Sequence, residues 1–112
     1  YDNLININID SVGYKNGGKV TFLDKNTDTS LYEPMKEVIE NNGLEVELNT
    51  GLKGTADSVE FDRAGIPAIC IIDENVKEVI HTENDTPELI DYDRLDKVVK
   101  SVDDFVSSFT FN

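Results

Sequence analysis

The single histidine of the chain, His81, is the side chain best suited to chemistry in this sequence. Imidazole is the commonest protein ligand for metals and normally titrates near neutral pH. His81 follows a short strand-like run, Val79-Ile80, and opens a polar turn that holds Asp85 and then Pro87. Loops at the ends of strands often carry the working groups of α/β proteins. The pattern therefore indicates a functional loop, with an ordinary structural histidine as the alternative.

Asp10 is the second candidate, because it ends an apolar alternation that begins at Asn3. The carboxyl ends of strands in an open α/β sheet share one edge, so Asp10 and His81 are expected to meet there. A carboxylate and an imidazole suit zinc, but a catalytic zinc usually takes three protein ligands. This chain is therefore not expected to close a metal site alone. A carboxylate in a strand-end turn is the alternative for Asp10.

The elements that must position these residues follow from hydrophobic periodicity. Alternating strand and helix patterns predict an α/β fold with a mixed sheet. Strands are predicted at 3–10, 20–23, 44–48 and 66–72, and helices at 30–42, 57–65 and around 95–109. The turn at Asn16-Gly17 favours an antiparallel pair of the first two strands. Residues 49–55 are predicted to form a flexible loop.

Local signals give further expectations. Ser30 and Glu33 have the spacing of a capping box, and Met35 lies on the apolar face of the same helix. Asp91 or Asp93 is available to cap the last helix. The apolar residues of that helix are expected to cover a sheet face: Leu95, Val98, Val99, Val102, Phe105, Val106 and Phe109. Cys70, within an apolar run, is expected to be a buried hydrophobe and not a reactive thiol.

Composition narrows the possible partners. The chain has 10 basic and 23 acidic residues and a net charge of −13, without a basic cluster. Nucleic acid and anionic membranes are therefore not expected as partners. The longest apolar run, 66–72, is far too short to span a membrane. A single cysteine allows no internal disulfide and leaves the compartment open. The start at Tyr1, already inside an apolar alternation, is interpreted as a cut within a longer protein.

Three sequence blocks resemble those of a known enzyme family. They are Asn8-Ile9-Asp10-Ser11-Val12-Gly13, then the run from Gly54 to Ala68, then Ile80-His81-Thr82-Glu83-Asn84-Asp85-Thr86. In this order they are similar to the carboxyl-terminal half of the di-zinc aminopeptidases, metallopeptidase family twenty-eight. The last block is nearly intact, whereas Ser11, Ala56 and Ser58 replace the Met, Ser and His usual in the family.

The resemblance implies roles for single residues. Asp10 would be a ligand of one zinc and His81 a ligand of the other. Asp85 would help to fix the His81 loop. Asp57 matches the Asp of the middle block and is expected near the site, or as the N-cap of a short helix, or as both. Ile80 would line the pocket for the substrate side chain. Ser11 would make that same pocket less apolar than the usual Met does.

The resemblance also implies what this chain lacks. The family's bridging Asp and its Glu general base lie before the region matched here, so no catalytic residue is assigned within residues 1–112. The whole is expected to be one domain, the carboxyl-terminal part of a catalytic domain. Its fold would be an incomplete half of the zinc-exopeptidase fold, a three-layer mixed sheet flanked by helices. Two zinc ions per active site are expected in the complete enzyme.

The expected function is hydrolysis of N-terminal residues from peptides by the longer protein, with the isolated fragment inactive. The runner-up is a non-catalytic peptidase-like module that binds other proteins, and the third reading is an acidic α/β domain with chance matches. A peptide substrate and self-association of the fragment through a cut sheet are the expected partners. The family suggests a secreted or cell-surface protein, and a cytoplasmic one stays open.

Overall fold

A computed structural model describes residues 3–23, 28–48 and 56–109 of the 112-residue chain. Its three strands are β1 (Asn6–Ile9), β2 (Val20–Phe22) and β3 (Ala68–Asp73). They form one sheet in the order β1-β3-β2, with β1 parallel and β2 antiparallel to β3. The prediction of an α/β fold with a mixed sheet is confirmed. The predicted loop at 49–55 lies outside the described residues.

The central strand β3 is buried along its whole length. This burial explains its continuous apolar sequence, since a strand covered on both faces has no polar side. Ile69 and Ile71 enter the larger apolar cluster, while Cys70 and Ile72 enter a smaller one on the opposite face. Met35, in the larger cluster, is fully buried as predicted.

Helices cover both faces of the sheet, which gives three layers. They are α1 (Tyr32–Asn41), α2 (Ser58–Arg63) and α3 (Tyr92–Ser108). α1 and α3 pack against each other and contribute to the larger cluster. α2 contacts β3 and β1, and Ala56, just before it, packs on the smaller cluster. No helix in the described ranges is long and apolar enough to cross a membrane.

The predicted antiparallel pair of the first two strands is wrong, because β3 lies between them. Ile71 of β3 is the register partner of Ile9 on one side and of Phe22 on the other. The Asn16-Gly17 turn exists, with the Gly17 N–H donating to the carbonyl of Tyr14 at 2.9 Å. The Asn16-Gly17 signal predicted the turn correctly but not the strand pairing. The buried strand β3 needs hydrogen-bonded neighbours on both of its edges and therefore lies between β1 and β2.

Two further strand predictions are wrong. The stretch 44–48 makes only one parallel bridge, between Val46 and Val20, so its alternation reflects burial of Leu44 and Val46 without a ladder. The stretch before His81 is a 3-10 turn at Val76–Glu78 and not a strand. Short apolar runs do not distinguish a strand from a packed turn.

The helix ends agree only in part with the predicted caps. α1 begins at Tyr32 and has no side-chain cap, so the capping box of Ser30 and Glu33 is wrong; the Ser30 N–H instead donates to Asp28 Oδ1 at 2.9 Å. The Asp91 cap of α3 is confirmed, since its Oδ1 accepts from the Arg94 N–H at 3.1 Å.

Candidate functional site

Asp10 lies where β1 leaves the sheet. Its N–H donates to the Ile71 carbonyl at 3.0 Å, which keeps the backbone against β3 for one residue beyond the strand. The Ser11 hydroxyl donates to Asp10 Oδ1 at 3.0 Å and holds the half-buried carboxylate from one side. Ser11 itself has φ of +54°, a conformation that costs L-residues roughly 1–2 kcal/mol. The chain therefore turns sharply just after the carboxylate.

His81 lies at the tip of a tight turn. The Thr82 N–H donates to the Val79 carbonyl at 3.0 Å, and the Thr82 hydroxyl donates to the same oxygen at 2.5 Å. His81 occupies the third position of this turn with φ of +63°, in the left-handed region that non-glycine residues seldom adopt. Its side chain is exposed, and no described residue gives the imidazole a hydrogen-bond partner. Non-glycine residues held at positive φ are concentrated at functional sites.

A cavity of about 160 Å³ joins the two loops. One wall is the segment Ser11–Tyr14, which follows Asp10. The other wall contains Ile80, just before His81, and Asp85. The remaining lining is mostly apolar: Val76, Val79, Thr86, Leu89 and Ile90. Residues next to Asp10 and residues next to His81 thus face one another at the carboxyl end of the parallel strands.

Backbone hydrogen bonds hold the segment Ser11–Tyr14 against residues 89–91, part of which completes the lining. The Lys15 N–H donates to the Leu89 carbonyl, and the Asp91 N–H donates to the Gly13 carbonyl, both at 2.8 Å. An isolated antiparallel bridge between Tyr14 and Ile90 lies between these bonds. The contribution of residues 86–90 to the cavity was not predicted from the sequence. The apolar pair Leu89-Ile90 after Pro87 was the available signal.

Asp10 and Asp57 act on a common neighbour, the Cys70 thiol. Burial first, and then the charges of Asp10 and of Asp57, raise the pKa of Cys70 from 9.0 to about 12. Both carboxylates therefore lie near the same point on β3. Asp57 is the N-cap residue of α2 by position, but its side chain makes no cap hydrogen bond. The expectation that Cys70 is buried is confirmed, and its low reactivity stays a prediction.

The donors present suit zinc in type but not in number. Carboxylate and imidazole are ordinary zinc ligands, and a catalytic site needs three of them. Across 3–23, 28–48 and 56–109, no three His, Cys, Asp or Glu side chains come close enough together to hold a metal ion. Asp85 is exposed and belongs to the turn after His81, where its N–H donates to the Thr82 carbonyl at 3.2 Å.

A buried ion pair behind the cavity was not predicted. Asp73, the last residue of β3, is fully buried, and both of its oxygens accept from Arg94 at 2.7 to 3.2 Å. Asp73 Oδ2 also accepts from the Tyr14 N–H at 3.0 Å. A Cβ at Gly17 would lie 2.5 Å from the same oxygen, so only glycine fits there. The pair ties together β3, α3 and the loop after β1.

Comparison with known proteins places this arrangement in a family. The model of peptidase family M28 matches residues 2–106. The crystal structure of the LapA aminopeptidase of Legionella pneumophila matches with a TM-score of 0.71 and 18% sequence identity. The match covers 92% of this chain and 31% of that chain, so the two share a fold over less than a third of the aminopeptidase. A comparison with curated proteins finds no match. On the family match, the chain belongs to peptidase family M28.

Proposed function

We propose that residues 1–112 form the carboxyl-terminal part of the catalytic domain of a zinc-dependent aminopeptidase. The observation that carries this proposal is the cavity between the loop after Asp10 and the loop before His81. In an open α/β sheet, such a position at the carboxyl ends of the strands is where ligands bind. In the longer protein, Asp10 would hold one zinc and His81 the other. Bound zinc would supply polarisation of the peptide carbonyl and an activated water.

The geometry of His81 favours a ligand over the structural alternative. A structural histidine packs or hydrogen-bonds with its surroundings, whereas His81 is exposed at the tip of a turn. The strained φ of this residue has no purpose in packing, because the side chain is not packed. Because neither imidazole nitrogen has a partner among the described residues, His81 could bind a metal whose other ligands come from the rest of the longer protein.

The cavity supports the pocket roles of Ile80 and Ser11. Its lining is mostly aliphatic, and its volume of about 160 Å³ is similar to that of apolar cavities that bind a benzene ring, roughly 150 Å³. One aliphatic side chain of a substrate would fit. Ser11 lines the same cavity while its hydroxyl donates to Asp10, so it would make the Asp10 end of the pocket less apolar.

Asp57 and Asp85 would act through other residues. Asp85 lines the cavity and belongs to the turn that carries His81, so it would orient that loop. Asp57 lies near Cys70 together with Asp10 and would add negative charge beside the first metal. Neither residue would contact the scissile bond.

Without the bridging Asp and the general-base Glu of the family, the 112-residue chain would bind zinc weakly and hydrolyse nothing. One observation supports the alternative function, a non-catalytic module that binds other proteins. Several apolar side chains on α3 are exposed in a chain of high negative charge.

The test measures release of N-terminal amino acids from peptides by the full-length protein, with and without a chelator. We expect activity that the chelator removes and zinc restores, and a loss of at least a hundredfold in kcat/KM in Asp10→Asn and in His81→Ala. Asp96→Ala, an exposed carboxylate on α3, serves as the control. Full activity in the Asp10 and His81 variants would contradict both ligand assignments. No chelator-sensitive release by the wild type would favour the interaction module.

A further inference from the structure

One wall of the cavity, from Ser11 to Tyr14, is anchored at both ends by Asp73. The Asp73 N–H donates to the Ser11 carbonyl at 3.3 Å, and Asp73 Oδ2 accepts from the Tyr14 N–H at 3.0 Å. Between these two points, the Gly13 carbonyl accepts from the Asp91 N–H at 2.8 Å. The backbone of this wall is therefore held at three places, by Asp73 twice and by Asp91 once.

Arg94 binds both of the residues that anchor the wall. Its guanidinium donates to both carboxylate oxygens of Asp73 at 2.7 to 3.2 Å. Its backbone N–H donates to Asp91 Oδ1 at 3.1 Å. A two-point contact between a guanidinium and a carboxylate fixes the orientation of the carboxylate as well as its position. The direction in which Asp73 faces the Tyr14 N–H therefore depends on Arg94.

The buried face of α3 holds Arg94 in place. Val98 and Phe105 follow Arg94 at helical intervals and are 0% and 2% exposed. Val99 and Val106 form an exposed stripe on another face, so the expectation that every apolar residue of this helix covers the sheet is wrong for them. Arg94 thus belongs to the face of the helix that packs on the core, and its side chain reaches β3 from a fixed support.

Stability alone is a weak explanation for this ion pair. The side chains of Asp73 and Arg94 are 0% and 14% exposed, so both charges have lost most of their hydration. At such positions, apolar side chains of similar volume often give equal or greater stability. A carboxylate differs from an apolar side chain because it can accept a hydrogen bond from a backbone N–H at a fixed point. This property suits a role in positioning the wall.

The wall needs such anchors because its backbone is strained where it begins. Ser11 has φ of +54°, and its hydroxyl donates to Asp10 Oδ1 at 3.0 Å. A non-glycine residue stays in this region only when the surrounding structure holds it there. Loss of the anchor at Tyr14 would let Ser11 relax toward negative φ. The wall would then move relative to Ile80 on the other side of the cavity.

We propose that Arg94 and Asp73 are positioning residues that keep this wall at the separation required by an aliphatic substrate side chain. Neither residue is part of the cavity lining, so neither would contact the substrate. The inference rests on the proposed function, which assigns the cavity to that side chain. The wall contributes binding energy only when a side chain is long enough to reach it. Loss of the ion pair should therefore reduce cleavage after long aliphatic residues more than cleavage after alanine.

The ratio of kcat/KM for a leucyl 4-nitroanilide to that for the alanyl compound, measured with the full-length protein, tests the proposal. We expect the wild type to favour the leucyl substrate and Arg94→Met to lower the ratio by about fivefold or more. The amount of folded enzyme cancels in this ratio, so a loss of stability alone leaves it unchanged. Met35→Ala is the matched control, because Met35 is fully buried in the core and does not line the cavity. It should destabilise the protein and change the ratio less than about twofold.

Hydrogen exchange followed by mass spectrometry gives a second measurement that needs no substrate. In full-length Arg94→Met, the backbone amides of residues 11–16 should exchange about tenfold faster than in the wild type, and the increase should exceed that in β3. Circular dichroism identifies a variant that fails to fold. Arg94→Lys then replaces Arg94→Met, since it keeps the charge but loses the two-point contact, with the same expected direction.

An unchanged ratio in the Arg94 variants of an active enzyme would overturn the positioning role and leave the proposed function in place. So would an equal fall of the ratio in Met35→Ala, or unchanged exchange of residues 11–16. A wild type that cleaves both substrates equally well would overturn the assignment of the cavity to the substrate side chain, and this inference with it. A wild type that releases no amino acid at all would contradict the proposed function itself.

Discussion

Arg94→Met is expected to destabilise the folded chain strongly. Arg94 is the partner of Asp73, whose side chain is 0% exposed, while the Arg94 side chain is 14% exposed. Removal of one partner from a buried ion pair leaves an uncompensated charge and costs about 3–5 kcal/mol. Since the Tyr14 N–H still donates to Asp73, we expect the lower end, about 3 kcal/mol. That is a large part of the roughly 5–15 kcal/mol that stabilises a domain.

Urea unfolding at neutral pH, followed by circular dichroism, measures this loss. With a slope of about 1–3 kcal/mol/M, the midpoint should fall by roughly 1–3 M. Arg63→Met is the matched control, because Arg63 also forms an ion pair, with Glu60 at 3.0 Å, but the two side chains are 72% and 75% exposed. An exposed pair of this kind contributes about 0.5 kcal/mol or less.

A double-mutant cycle separates the ion pair from other effects. Asp73→Asn keeps an acceptor for the Tyr14 N–H and removes the charge, so Asp73→Asn with Arg94→Met should cost less than the sum of the single changes by about 1–3 kcal/mol. Equal losses in Arg94→Met and Arg63→Met, or a loss below about 1 kcal/mol in Arg94→Met, would refute the claim that this pair is buried and holds the three segments together.

Two further predictions concern single side chains. The raised pKa of Cys70, about 12 against 9.0, should slow its reaction with a disulfide reagent at pH 8 about a thousandfold relative to the urea-unfolded chain; fast labelling of the native chain would contradict it. The pKa of Cys70 is higher in the folded chain, so the unfolded chain loses the thiol proton first as the pH rises. The protonated thiol therefore contributes fully to the free energy of unfolding below pH 9, and this contribution falls between pH 9 and about 12. Asp91→Ala removes the N-cap of α3 and should lower the free energy of unfolding in urea by about 1 kcal/mol. Asp103→Ala, at an exposed site on the same helix, is the control and should have little effect. Equal effects of the two substitutions would show that the cap does not contribute.

The sequence predicted best what depends on neighbouring residues. The apolar run at 66–72 became the buried central strand, and the apolar spacing after Asp91 became α3 with its cap. Periodicity and capping act within a few residues, so they can be read along the chain. Ser30 and Glu33 show the limit of this approach, because a fitting cap spacing did not form a cap.

The position of the candidate site was only partly open to prediction. Strand ends and the block around His81 indicated which loops to compare, and the cavity does lie between the loops that follow Asp10 and precede His81. The part of the lining formed by Leu89 and Ile90 was missed, because an apolar pair after Pro87 has no periodicity that separates a cavity lining from a core contact. The ligand roles of Asp10 and His81 stay predictions.

The amino-acid sequence by itself determined the fold class, the central strand, the long helix and the resemblance to a peptidase family. Only the tertiary structure decided that β3 separates β1 from β2, that Asp73 is buried against Arg94, and that one stripe of α3 has no partner in the described core. The physical reason is distance along the chain. Strand pairs, buried ion pairs and helix–sheet contacts form between residues that are far apart in sequence. Which of them form depends on burial of the whole sheet and not on local preference.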